Sequence, residues 1–215
     1  MARNFRMLGW LAAALVVSLA GAARAELDVA AATADRVLGN PQAKVTVIEY
    51  ASLTCPHCAH FHAEILPDIK ARYIDTGKVK IIFRDFPLDK VALDAAMLAR
   101  CAPPDRFFAT LQVLFATQTK WISADDTTAA LISAVGDLGM KAEDAKACLA
   151  NEQLKEAVVK SRFDGDKAWN IQATPTFILN DGAFVVIGAN EERFLDGLKF
   201  VGLPVQEKPA APAKK

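Results

Sequence analysis

The sequence predicts an α/β fold made of a βαβ unit and a ββα unit, separated by an all-helical block. Three observations predict it. Residues 45–50 (VTVIEY) and 79–86 (VKIIFRDF) are β-branched or alternating runs with a helical pattern between them. Residues 88 to about 170 place their apolar side chains at helical spacing, with no convincing strand. Strand patterns return at 176–179 and 184–187, around Asn180-Asp181-Gly182, a strong hairpin signal.

The 215-residue chain opens with Arg3 and Arg6, an apolar run over 7–20 and an Ala-Arg-Ala ending at 23–25. That order of charge, apolar core and small residues is a secretory leader, cut after Ala25. The 14-residue run is short of the roughly 20 needed to span a bilayer; counted on to Ala23 it reaches 17, near the length of an uncut anchor. Residues 26–42 read as a loosely structured entry with a turn at Gly39-Asn40-Pro41.

The first half of the α/β fold spans 43–87. Its first strand leads into a helix that Cys55-Pro56-His57-Cys58 opens and that runs to about Tyr73. Phe61, Ile65, Leu66, Ile69 and Tyr73 give that helix one buried face. Pro67 lies inside it and is expected to kink it. Pro87 stops the second strand. Strand, helix and strand within about forty-five residues imply a parallel pair joined by a right-handed crossover.

The helical block covers 88–169. Val91, Ala95 and Leu98 mark one face, and Phe107, Phe108, Leu111, Leu114 and Phe115 a second after Pro103-Pro104. Leu131, Ile132, Val135 and Leu138 mark a third, ended by Gly139. One longer helical stretch then carries Cys148, Leu149, Leu154 and Val158. The second half, 170–203, ends in a helix from about Asn190 with Phe194, Leu195, Leu198 and Val201 on one side. Residues 204–215, rich in Pro, Ala and Lys, form a frayed tail.

Composition narrows the function. Hydrophobic residues make up 53% and charged residues 23%, which excludes a disordered or collagen-like chain. The 25 basic residues balance 25 acidic ones. Loss of a leader with three Arg and no acid leaves the mature chain at about −3. Such a chain has no electrostatic claim on nucleic acid.

The four cysteines fall into two kinds. Cys55 and Cys58 form a C-x-x-C pair at a helix start; Cys101 and Cys148 are isolated. Export puts all four where disulfides persist. For Cys101 and Cys148 we favour a structural disulfide inside the helical block over two unpaired core thiols. Closing a loop of that length contributes roughly 4 kcal/mol in the chain-entropy model.

Cys55-Pro56-His57-Cys58 after a strand, Thr174-Pro175 before the hairpin, and the position of the helical block resemble the thioredoxin fold with a helical insertion. More narrowly, they resemble the DsbA-type periplasmic thiol:disulfide oxidoreductases over residues 43 to 203. The resemblance implies a periplasmic dithiol oxidase in which Cys55 is the exposed nucleophile and Cys58 the buried resolving thiol. It implies a cis bond before Pro175, a buried acid beneath the pair at Glu49, and a peptide groove beside the active-site helix and the cis-proline loop. Its partners would be folding exported polypeptides and a quinone-linked membrane protein that reoxidises the pair. Thr174 is found in isomerase relatives too, which leaves the net direction open. No dimerisation segment precedes the first strand, which favours a monomer and an oxidase.

The chemistry asks for these residue types. Exchange needs a thiolate to attack a disulfide sulfur. At a helix start, Cys55 would meet unpaired N–H groups, with His57 adding a positive charge; both lower a thiol pKa. Pro56 suits a first helical turn. Glu49 would move protons to and from Cys58, or else be a strand residue facing solvent. Thr174 and Pro175 would meet an extended substrate. No cofactor is expected and no metal, since no second C-x-x-C completes a zinc site. Ala59 breaks the haem attachment pattern C-x-x-C-H. His60 and His62 read as ordinary helix residues. The rival readings are an isomerase or reductase at the same site, a peptide-binding chaperone with incidental cysteines, and a metal carrier.

Overall fold

A computed structural model describes residues 27–205. The expected leader, and all but the start of the expected tail, lie outside them. Five strands form one sheet: β1 (Arg36–Leu38), β2 (Val45–Ala51), β3 (Val79–Asp85), β4 (Thr176–Leu179) and β5 (Phe184–Ile187). Their spatial order is β1-β3-β2-β4-β5. β2 and β3 run parallel; the other neighbours are antiparallel.

β1 falls in the entry segment expected to be irregular. Its three residues pair with 81–83 at the sheet edge. A strand that short has no period to read, and its order comes from the neighbouring strand. A short helix, α1 (Val29–Thr33), precedes it, capped by the Asp28 carboxylate accepting from the Ala31 N–H.

Alternation along β2 places the site. Val45 and Val47 point into the core under the crossover helix, while Ile48 and Tyr50 point to the opposite face. Glu49 is in phase with Val45 and Val47. The crossover starts as α2 (Pro56–His60), widens into a π-helical turn (Phe61–Ile65), continues as α3 (Leu66–Ile69) and closes on a second π-turn (Lys70–Ile74). The irregularity expected at Pro67 takes this form. Proline offers no N–H to the preceding turn and crowds its carbonyl, and the wider turn just ahead accommodates both. Phe61, Ile65, Ile69 and Tyr73 are buried as expected, whereas Leu66 is only half-buried.

Between β3 and β4 the described chain is helical. It forms α4 (Lys90–Cys101), a 3-10 turn (Pro104–Arg106), α5 (Phe107–Ala116), α6 (Gln118–Ile122), α7 (Thr127–Gly136), α8 (Ala142–Leu149) and α9 (Glu152–Trp169). The stretch after Gly139 is therefore two helices. Asn151 separates them, its side chain accepting from the Leu154 N–H to start α9. Leu98, Phe107, Leu114, Trp121, Leu131 and Leu154 share one core. α9 also covers the sheet's far face, where Gly165 lets the helix approach Tyr50: a Cβ there would sit 2.5 Å from the ring. In the β4–β5 turn Asn180, Asp181 and Gly182 all have positive φ. Asn180 also accepts from the Thr46 N–H, pinning the turn to β2. α10 (Glu191–Phe200) packs Phe194 and Leu198 against the sheet.

Candidate active site

The site forms where β2 ends and α2 begins. Cys55 is the residue just before α2 and keeps extended backbone, with Pro56 at the first helical position. Its N–H donates to the Ser52 carbonyl at 3.1 Å. Two helices of the insertion clamp this turn. The Gln118 amide of α6 donates to the Leu53 carbonyl at 2.7 Å and the Cys55 carbonyl at 3.1 Å. The Thr54 hydroxyl donates to Asp89 at 2.7 Å, and Asp89 also caps α4 through the Ala92 N–H.

The two sulfurs differ sharply. Cys58 has no exposed surface, and burial pushes its thiol pKa far up, with the adjacent Cys55 sulfur and Glu49 acting in the same direction. Cys55 is lowered to about 5, first by a hydrogen bond from the Cys58 thiol. The Thr174 side chain and the backbone N–H groups of Cys58 and His57 lower it further, against a contrary push from burial. As a thiol, Cys55 donates instead to the Thr174 carbonyl at 3.2 Å. The Thr174 hydroxyl is buried without a hydrogen-bond partner among the described residues, which leaves it free to donate to the Cys55 thiolate that its side chain favours.

One expectation needs correction. Cys55 is not an openly exposed nucleophile: it is 6% exposed, because the cis-proline loop lies over it on one side and the Gln118-clamped turn holds it on the other. The His57 backbone N–H lowers the Cys55 pKa, the role expected of it, and the His57 imidazole is exposed.

The Thr174–Pro175 peptide bond is cis. The Ala173 carbonyl accepts from the Thr176 hydroxyl and the Pro175 carbonyl from the Gly188 N–H. A groove of about 540 Å³ runs beside this loop, lined by apolar residues such as Phe86, Leu88 and Phe163 together with charged ones such as Lys90, Arg162 and Asp166. Phe163 and Leu88 are exposed apolar side chains there. Beneath the pair, Glu49 is 1% exposed rather than solvent-facing, and its carboxylate bonds to His62 at 2.9 Å. Cys101 and Cys148 stand apart in the helical block, joined by an S–S bond of 2.05 Å. Among the described residues no cluster of three or more potential metal ligands occurs, and no helix is long and apolar enough to cross a membrane.

Gln118, Asp89 and His62 were not singled out as functional in the sequence. Gln118 and Asp89 lie 63 and 34 residues from Cys55 with no motif around them. His62 carries one usable signal: it follows Cys58 by one helical turn, on the side that faces β2.

Comparison with known proteins agrees with this geometry. The family model described as thioredoxin matches residues 31–194. A Rickettsia bellii protein, provisionally named protein-disulfide oxidoreductase, is 37% identical over 148 residues, covering 68% of this chain and 57% of that one. The chain thus spans little more than half the length of such relatives. Disulfide bond formation protein D of Bacillus subtilis is 31% identical over 157 residues, covering 67% of each. Among solved structures, alpha-DsbA1 of Wolbachia pipientis superposes with a TM-score of 0.69 at 31% identity, covering 77% of this chain and 88% of that one. Oxidised BdbD of Bacillus subtilis gives 0.67 at 29% identity, covering 78% and 94%. The fold is thus shared with these proteins, and the chain belongs to the thioredoxin family as a DsbA-type member.

Proposed function

We propose that the chain is an exported dithiol oxidase that donates the Cys55–Cys58 disulfide to folding polypeptides. The carrying observation is the asymmetry of the two sulfurs: one sits among hydrogen-bond donors that favour its anion, the other in an apolar enclosure that forbids one.

The reaction follows from that asymmetry. A substrate thiolate attacks Cys55 Sγ, the Cys55–Cys58 bond breaks, and Cys58 leaves with the electron pair and takes up a proton. A second substrate thiolate attacks its own sulfur in the mixed disulfide and expels Cys55 as a stable thiolate. The substrate loses two electrons and two protons; one proton ends on Cys58 and the other in solvent. Because the dithiol state is favoured, the disulfide is readily given away. The Thr174 backbone and the neighbouring groove support binding of an extended, partly apolar chain as an added strand. A quinone-linked membrane partner reoxidises the dithiol, and the leader over 1–25 supports a periplasmic location.

Equilibration with glutathione tests this. We expect a potential well above thioredoxin's, about −270 mV, and near or above −200 mV. A potential as reducing as thioredoxin's would exclude the oxidase. Thr174 supports isomerase activity as the second reading, and refolding of a scrambled multi-disulfide substrate separates the two.

A further inference from the structure

His62 sits between the buried Glu49 carboxylate and a cavity at the protein surface. Its Nε2 lies 2.9 Å from Glu49 Oε1, and the two side chains are only 7% and 2% exposed. Phe115 of α5 stacks on the imidazole at 4.3 Å between centroids, while Phe61 and Phe83 meet it edge-on. These three rings carry no exchangeable proton. On its other side His62 lines a cavity of about 370 Å³ that opens to solvent, together with Leu38, Leu66, Lys70, Phe108 and Gln112. Lys70, at that cavity, is paired with Asp75. Glu49 in turn acts electrostatically on Cys58.

We propose that His62 is a positioning residue for thiol exchange: it orients the Glu49 carboxylate and passes the Cys58 proton between Glu49 and water in this cavity. The proposal rests on the dithiol-exchange reading above and adds a path to it. In the mixed disulfide, Cys58 Sγ attacks the Cys55 sulfur; its proton moves to Glu49, from Glu49 to His62, and from His62 to cavity water. The new Cys55–Cys58 bond forms and the departing thiolate leaves with the electron pair of the broken bond. When a substrate thiolate opens the Cys55–Cys58 disulfide, the same groups return a proton to Cys58. The titratable groups facing this path are Cys58, Glu49 and Lys70, the last held by Asp75.

The test separates two steps in the reduced mature chain reacting with glutathione disulfide. Attack by Cys55 forms the mixed disulfide, and attack by Cys58 resolves it. We expect His62→Gln and His62→Ala to slow resolution by about tenfold or more, while Cys55 attack changes by less than about twofold. Added imidazole, entering the cavity, restores resolution in His62→Ala; pyrrole, a ring of the same size that carries no basic nitrogen, does not. Unchanged resolution in both variants, equal slowing of both steps, or equal rescue by pyrrole would each overturn the proposal while leaving the exchange reading intact. A wild-type chain that forms no mixed disulfide at Cys55 overturns the exchange reading and this one with it. Should His62→Ala not fold, His62→Gln, which keeps an amide donor for Glu49, decides the matter on the two rates alone.

Discussion

Cys55 gains its character from donors placed within reach of one sulfur. With its pKa lowered to about 5, the reduced protein carries the thiolate at neutral pH. The sign is fixed by linkage. A depressed folded-state pKa stabilises the reduced fold fully above the unfolded value near 8.5, and that stabilisation declines as pH falls and is gone below about 5. The gap in unfolding free energy between reduced and oxidised protein should therefore shrink across that window, which paired denaturant titrations at several pH values would show. Thr174→Val removes a buried hydroxyl that has no hydrogen-bond partner among the described residues. We expect the Cys55 titration, followed by thiolate ultraviolet absorbance, to rise by about one unit. No change would mean that the hydroxyl does not donate to the sulfur. The pair itself was legible in the sequence, because Cys55-Pro56-His57-Cys58 is a local pattern. Its cover was not, because Thr174 and Gln118 reach it only through the folded chain.

Elements were legible in proportion to their length and period. The crossover helix and β2 to β5 follow periodic runs, whereas β1 is three residues held by a neighbour, and the break at Asn151 turns on one cap. The approach of α9 to β2 depends on Gly165, since an added Cβ would strike the Tyr50 ring at 2.5 Å. Gly165→Val should cost about 1–3 kcal/mol in chemical denaturation by overpacking, with the Cys55 titration unmoved. α6 bears on the site more directly. Gln118→Ala deletes both amide bonds to the turn before α2. It should lower stability by about 1–3 kcal/mol, because the Leu53 carbonyl loses its amide donor while the Cys55 carbonyl keeps only the Ala59 N–H at 3.2 Å. It should also widen access to Cys55, read as faster alkylation by iodoacetamide.

At the scale of the whole molecule, one buried cation joins the parts. Arg100 of α4 pairs with Asp85 at the end of β3 at 2.6 Å and donates to the Ala34 carbonyl after α1 at 3.0 Å. Its guanidinium lies over the Phe107 ring of α5 at 4.7 Å. Burial raises the Asp85 pKa, and Arg100 opposes that rise. Arg100→Met keeps the packing but takes the only ion-pair partner of Asp85 among the described residues, leaving it the weaker attraction of Arg36, so we expect a loss of about 3 kcal/mol in the denaturant midpoint analysis, with one cooperative transition. A loss below about 1 kcal/mol would show that Asp85 finds another partner. Neither Arg100 nor Asp85 stood out in the sequence. A lone charge in an amphipathic helix reads as surface until its distant partner is known.

Cys55 is 6% exposed beneath the Thr174 carbonyl. On the exchange reading proposed above, a sulfur carried on a slender, pliable backbone would reach it more readily than one fixed on a finished, rigid surface. Choice of client would then be a matter of timing, with nascent chains admitted and completed ones turned away.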